Sequence, residues 1–413
     1  MDKLTNFNQQ FFKNNREQLK LSINQSVPIV ITASGLIQRG ADNSYPFAQD
    51  ANFWYLSGIN DPDIILVIDE DMEFLIVPIR EGTRVTFDGQ IDQDYLAEVS
   101  GISDFENEAS GWKRLDSIVQ KTRRVATLAP ADSFIEQYGM YANPARSRLM
   151  DRLNRHIPEL ELIDIRSNLA RLRTIKQQPE ISAIQEAIDI TTATLREILS
   201  SKPGVYGYEY QIESDITRGF RYRGAQGHAF DPIVAGGIRG CTLHNVANNA
   251  PIKPGEMVVL DVGASVEGYA ADITRMYTST SPTKRQLDVV NAVYEVQAYA
   301  MSLLRPGVRL KDYENKVAKF MGTKLKQLGL IKSSNLELVR QYFPHATSHF
   351  LGLNVHDVGD YQEPLQLGSV ITVEPGIYIP DEAIGVRLED DVLITTNGII
   401  NLSRKLPSRL NVD

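Results

Sequence analysis

His345, His349 and His356, three of the chain's six histidines, fall with Glu374 and Glu389 inside a single stretch from Tyr342 to Asp391. Glu374 closes the apolar run SVITV just before Pro375-Gly376, and Glu389 interrupts GVRLEDDVLIT, so each carboxylate sits in an otherwise hydrophobic strand pattern. An ionised carboxylate removed from water without a counter-charge shifts its pKa or destabilises the fold by several kcal/mol, roughly, so a cation is expected beside them. A second run, EMVVLDVGASVEGYAADITRMY over Glu256–Tyr277, reads as a hairpin turning at Glu267-Gly268, with Asp261 and Asp272 on opposite arms. Alternation puts Val259, Asp261 and Gly263 on one face, and Ala270, Asp272 and Thr274 on one face of the returning arm. In the right register the two aspartates share either a proton or a metal. Asp261, Asp272, His349, Glu374 and Glu389 together make a ligand set for two divalent ions joined by a bridging hydroxide. Oxygen-rich ligation without cysteine favours Mn²⁺, with Co²⁺ or Zn²⁺ as alternatives. Any one of these carboxylates alone would read as a solvated or ion-paired strand residue; the chemistry rests on the set.

The elements that must position these groups form a weak internal repeat. A helical pattern over Pro179–Ser200 ends in Lys202-Pro203-Gly204-Val205, and a second helix runs to about Gly224 before strands begin. Pro282–Leu304 repeats the arrangement: it ends in Arg305-Pro306-Gly307-Val308 and is followed by a helix to about Leu328 and then by strands. The pattern predicts an α+β, pseudo-twofold domain with paired helices on one face of a curved, largely antiparallel sheet. Upstream, a helix to about Leu21, a strand within Val27–Gly35, the aromatic cluster Asn52–Gly58, a hairpin of Ile64–Ile68 with Glu73–Ile79, and a strand at Val125–Ala129 predict a mixed α/β domain. The boundary is expected near Ala170, giving an amino-terminal domain over 1–170 and a catalytic one over 171–413. A chain of 413 residues, 42% hydrophobic and 23% charged, suits about two globular domains. A net charge of -9 argues against nucleic acid or anionic membrane as the main partner. The polar first residues, and the lack of any apolar run near about 18 residues, predict a cytoplasmic protein. The lone Cys241 excludes an intrachain disulfide and reads as a small buried side chain.

LDVGASVEGYAADITR, SHFLGLNVHDVG, TVEPGIY and RLEDDVLIT resemble the signature blocks of the pita-bread metallopeptidases, and among these the sequence is most similar to bacterial aminopeptidase P. YPFAQDANFWYLSGINDPDIILV resembles that family's amino-terminal domain, so the likeness covers nearly the whole chain. It implies that Asp261, Asp272, His349, Glu374 and Glu389 ligate two metals and that Glu374 handles the proton of the attacking water. It also implies that His244, in CTLHN, binds substrate and that His356 stabilises the tetrahedral intermediate, with His345 as a third histidine of the pocket. Arg387 reads as one strand with Glu389, two residues away on the same face, where it can pair with a ligand carboxylate or with substrate. Tyr378 is a weaker candidate behind the ligands.

The implied substrate is a peptide with proline in the second position, and the implied assembly is a homodimer or homotetramer in which Asp42, in GADNSYPF, reaches a neighbouring active site. Asn245 stands where the family commonly has an aromatic residue, and Gly236-Gly237-Ile238-Arg239-Gly240 departs from the usual loop before His244. Both changes touch the side that receives the leaving group. A prolidase shares the metal site but must hold a dipeptide carboxylate, for which Arg387 and Arg239 are the available cations. A non-catalytic pita-bread binding protein typically lacks part of the ligand set, which is complete here.

Overall fold

The computed structural model describes residues 6–23, 26–130, 139–202 and 204–408. Two compact units divide the chain, Met1–Leu172 and Arg173–Asp413.

In the first unit, strands β1 (Ile29–Thr32), β2 (Ile65–Ile68), β3 (Glu73–Val77), β4 (Phe105–Asn107), β5 (Arg124–Thr127) and β6 (Glu161–Asp164) form one sheet in the order β4-β3-β2-β1-β5-β6. β2 and β3 make the predicted hairpin, pairing Ile65 with Ile76 and Ile68 with Glu73. β1–β5, β5–β6 and β3–β4 are parallel, so the sheet is mixed. The aromatic cluster is a helix, Ala51–Ser57, started by the Asp50 carboxylate accepting the Asn52 and Phe53 N–H groups. Gly58 ends it at φ 71°, where a Cβ would stand 2.5 Å from the Phe12 ring. Edge-on contacts of Phe12 with Trp54 and of Phe11 with Tyr55 join it to the first helix, Gln9–Ile23.

The second unit repeats a helix pair followed by antiparallel ladders. Helices Gln178–Leu199 and Glu209–Tyr222 precede the first set, and Lys284–Leu303 and Leu310–Gln327 precede the second. Both long helices stop ahead of their Pro-Gly pairs; Gly204 and Gly307 turn the chain at φ 76° and 87°, while Pro203 lies outside the described residues. Helix Lys284–Leu303 opens with a capping box of Thr283 and Gln286 and buries Val289, Val293, Val296 and Ala300 on one stripe. Each such buried valine contributes about 1.5–3 kcal/mol of apolar burial.

The strands fall into short antiparallel ladders. β7 (Gly227–His228), β10 (Ala264–Val266) and β11 (Tyr269–Ala270) form one, and β8 (Ile233–Gly236), β9 (Met257–Val262) and β12 (Ile273–Thr278) another. β13 (Val370–Val373), β16 (Asp390–Thr395) and β17 (Gly398–Asn401) form a third, and β14 (Gly376–Ile379) pairs with β15 (Ile384–Arg387). The breaks between ladders hold the chemistry. Asp272 lies between β11 and β12, Glu374 between β13 and β14, and Glu389 between β15 and β16. Arg387 and Glu389 therefore do not share one strand as the sequence suggests. β15 pairs with β14, with Gly376 opposite Arg387, whereas β16 pairs with β13, with Val373 opposite Asp390, so the chain changes partners at Leu388-Glu389.

Candidate metal centre

The β9–β12 register sets Thr274 opposite Asp261 and leaves Asp272 two residues away on the same face, a diagonal pair rather than a direct one. Burial, and after it the charge of Asp261, raise the Asp272 carboxyl, as expected of two carboxyls on one face that repel each other. The predicted turn is present, with Glu267 and Gly268 both at positive φ between Val266 and Tyr269.

One donor atom from each of Asp272, His349 and Glu389 lies within 4.8 Å of the others, and all three residues are buried. His349 Nε2 is 3.5 Å from Asp272 Oδ2 and 3.6 Å from Glu374 Oε1. Its Nδ1 lies 3.0 Å from the Phe350 carbonyl; the proton belongs there, and the Nε2 lone pair points at the carboxylates. Glu389 Oε2 accepts from Thr274 Oγ1 at 2.7 Å, while Glu389 Oε1 and Asp261 Oδ1 are buried with no hydrogen-bond partner among the described residues. Burial, then the neighbouring carboxylates, hold Asp272 and Glu389 well above the ordinary carboxyl range, and burial brings Glu374 up to about 7. Orphaned oxygens, a correctly tautomerised imidazole and mutually repelling acids are what a divalent cation would resolve, so this donor set fits one.

Arg387 answers one of the two expectations for it, pairing with a ligand-type carboxylate. It donates to Asp261 Oδ2 at 2.5 Å and to the Tyr378 hydroxyl at 2.8 Å. Tyr378 in turn meets His345 Nε2 at 2.8 Å, while His345 Nδ1 faces the Ala346 carbonyl at 2.8 Å. The Nδ1 proton is thus fixed, and burial followed by the Arg387 charge pushes His345 down to about 3. The His356 ring, with an exposed edge, stands 4.2 Å from that of His349. Partial burial and the nearby His349 and His244 push it down to about 4, so it is a neutral N–H donor at neutral pH. His244 is exposed at the middle of its loop. Arg239 is engaged by Glu209 at 2.7 Å, and Cys241 is half-buried rather than buried, its thiol 3.4 Å from the Ile384 carbonyl.

Several supporting side chains are not evident in the sequence. The buried Arg275 donates to the Glu389 carbonyl at 2.5 Å and to Asp390 at 2.6 Å, and Gln297 bridges Asp390 and the Val373 carbonyl, so both glutamate-bearing breaks are held by one network. Asp391 accepts the Asp272 N–H at 3.1 Å. Asp357, next to His356, is buried in ion pairs with Arg173 and with Lys176, the latter at 3.0 Å. The only sequence signal for these was the Asp390-Asp391 pair following Glu389 and the Asp357 following His356.

Residues 182–396 match the model of metallopeptidase family M24, and residues 12–126 that of the aminopeptidase P N-terminal domain. The Xaa-Pro aminopeptidase of Escherichia coli K12 is 30% identical over 428 residues, covering 97% of this chain and 96% of that protein. Xaa-Pro aminopeptidase 3 of Mus musculus is 33% identical over 415 residues, covering 93% and 79%. Among solved structures, one from Bacillus anthracis assigned as an aminopeptidase P superposes with a TM-score of 0.90 at 28% identity over 98% of this chain and 97% of that one. Zinc-substituted E. coli aminopeptidase P in complex with product gives 0.84 at 28% identity, over 97% and 96%. With both family models matched in order along its length, the chain belongs to metallopeptidase family M24, in the aminopeptidase P group.

Proposed function

We propose that this chain is an aminopeptidase that releases the N-terminal residue from peptides with proline in the second position. The observation that carries the reading is the buried cluster of Asp272, His349 and Glu389, contiguous with Asp261 and Glu374, in which one oxygen each of Asp261 and Glu389 has no hydrogen-bond partner among the described residues. These five residues would hold two divalent ions, of which Mn²⁺ suits the oxygen-rich set best. Bound ions supply Lewis acidity toward the scissile carbonyl and a lowered pKa for water at the site. Glu374 takes the proton of the attacking water and returns it to the proline nitrogen as the C–N bond breaks. His356 donates to the oxygen on which charge develops. His244 and His345 line the substrate side, and Arg387 holds Asp261 and Tyr378 in place.

An Xaa-Pro bond has no N–H to donate, so recognition falls on the free amine and on the ring. Arg239 and Arg387, the cations a dipeptide carboxylate would need, are both engaged by protein carboxylates, which supports a site for longer peptides. The reading extends to amino-terminal and catalytic domains over about 1–170 and 171–413, and to a cytoplasmic homodimer or homotetramer in which Asp42, exposed on its loop, reaches a neighbouring site. Among the described residues no helix is long and apolar enough to cross a membrane. The test is cleavage of Ala-Pro-Ala, its N-acetylated form and Ala-Pro at equal concentration. Free Ala-Pro-Ala is expected to lose its alanine and the acetylated peptide to be inert; hydrolysis of Ala-Pro alone would make the protein a prolidase.

A further inference from the structure

The segment from Gly236 to Ala250 leaves β8 and returns toward β9 with His244 near its middle. Its two ends meet on one side chain. Glu209, the first residue of helix Glu209–Tyr222 and wholly buried, accepts through Oε1 from the Gly236 N–H at 2.8 Å and from Arg239 Nε at 2.7 Å, and through Oε2 from the Ala250 N–H at 3.0 Å. Arg239 also reaches the Pro251 carbonyl at 3.2 Å. The return arm is tied to β8 separately, where Asn248 accepts the Val234 N–H at 2.9 Å and donates to the Pro232 carbonyl at 2.8 Å. The carbonyl of Leu243, immediately before His244, accepts from Arg387 at 3.4 Å. On its inner side the loop lies against β15, where a Cβ at Gly385 would stand 2.2 Å from the Gly240 oxygen.

We propose that Glu209 is a positioning residue for His244, closing both ends of this loop and, through Arg239, fixing where His244 stands against the substrate. The stretch it engages is the same Gly236–Gly240 loop that departs from the family pattern, so the Glu209–Arg239 pair sets the leaving-group side of the site. The inference rests on the reading of His244 as a substrate-binding residue. A buried carboxylate with three charge-assisted bonds holds the loop more rigidly than neutral contacts would, because each bond to a charged group is roughly twice as strong as a neutral one. His244 itself makes no such contact with Glu209, so the coupling runs through the backbone.

The experiment is a double-mutant cycle on the full-length metal-loaded enzyme with Ala-Pro-Ala as substrate. Glu209→Gln keeps the side chain's shape but turns one accepting oxygen into a donor facing N–H groups. It is expected to leave bound metal per chain unchanged and to lower kcat/KM roughly tenfold, mainly through KM, the scale of one hydrogen bond to a charged group. In the His244→Ala background the same change is expected to cost less than about twofold, because there is no longer a histidine to position. Arg239→Met, which removes one bond from a partly exposed side chain, gives the same pattern at smaller amplitude and carries the test where Glu209→Gln does not fold. A His244→Ala variant with wild-type kcat/KM refutes the role of His244 and, with it, this inference. An equal loss from Glu209→Gln with and without His244, or no loss at all in the presence of His244, overturns the positioning role alone.

Discussion

The two oxygens of Asp261 differ: Oδ2 accepts from Arg387 at 2.5 Å, whereas the buried Oδ1 has no hydrogen-bond partner among the described residues. One oxygen is therefore oriented by a fixed cation while the other remains available to a ligand. Lysine keeps the charge but loses the fork that spans Asp261 and Tyr378. Arg387→Lys is expected to lower kcat/KM by roughly tenfold or more with the fold intact, as measured on Ala-Pro-Ala. Undiminished activity would show that the paired geometry is dispensable.

His356 lies against the His349 ring and has no carboxylate partner among the described residues, which suits a donor to substrate better than a ligand. His356→Ala is expected to lower kcat about 10²-fold, the scale of a lost oxyanion donor, without emptying the metal site. A fall in metal content in elemental analysis would instead make His356 a ligand.

Asp357 anchors the His356 loop. Burial alone would raise its carboxyl, but Arg173 and Lys176 outweigh that and hold it below the ordinary range. A depressed folded pKa contributes stability that is present above the unfolded value of about 3.9 and is lost as pH falls through the folded value. Asp357→Asn, which removes the buried negative charge facing Arg173 and Lys176, is expected to cost about 3–5 kcal/mol at neutral pH. The gap from wild type should begin to shrink below about pH 4, where the unfolded chain takes up the proton, and close once the folded carboxyl is protonated as well. A gap independent of pH in acid titrations of the unfolding midpoint would exclude the ion pairs as its cause.

The metal-free site has the opposite sign. Burial and mutual repulsion raise the carboxyls of Asp272 and Glu389, and burial brings Glu374 up to about 7, so above about pH 4 the native chain retains protons that the unfolded chain has released. Stability of the chelated protein therefore falls as pH rises toward about 7, and a bound cation relieves the repulsion. The difference in unfolding temperature between metal-loaded and chelated protein is expected to widen from about pH 5 to about pH 8. A constant difference would mean that the acids do not repel one another in the folded chain.

The chemistry of this chain is legible in its sequence because a carboxylate inside a β pattern is conspicuous. Asp261, Asp272, Glu374 and Glu389 stand out against the valines and isoleucines around them. The helix pairs are legible for the same reason, since long apolar stripes such as Val289–Ala300 have one period. The strand break at Leu388 is not, because apolar residues stand on both sides of it, Val386 and Leu388 before and Val392 to Ile394 after, and periodicity does not record a change of pairing partner. Nor are the supports. Asp357 meets Arg173 across 184 positions, and Gln297, mid-helix, reads as a surface residue until its amide is seen between Asp390 and Val373. Glu209 looks like an ordinary first-turn acid, and only the returning loop reveals its three partners.

The account stands on Asp261, Asp272, His349, Glu374 and Glu389 forming one metal-dependent peptidase site, and metal content measured against activity tests it most directly. Protein purified without chelator is to be stripped and titrated with Mn²⁺ while Ala-Pro-Ala cleavage and bound metal are followed together. Activity is expected to vanish on stripping and to return in step with binding of about two ions per chain, and Glu389→Ala is expected to lose both metal and activity while remaining folded. Full cleavage by protein holding no metal, or by Glu389→Ala, would contradict the account.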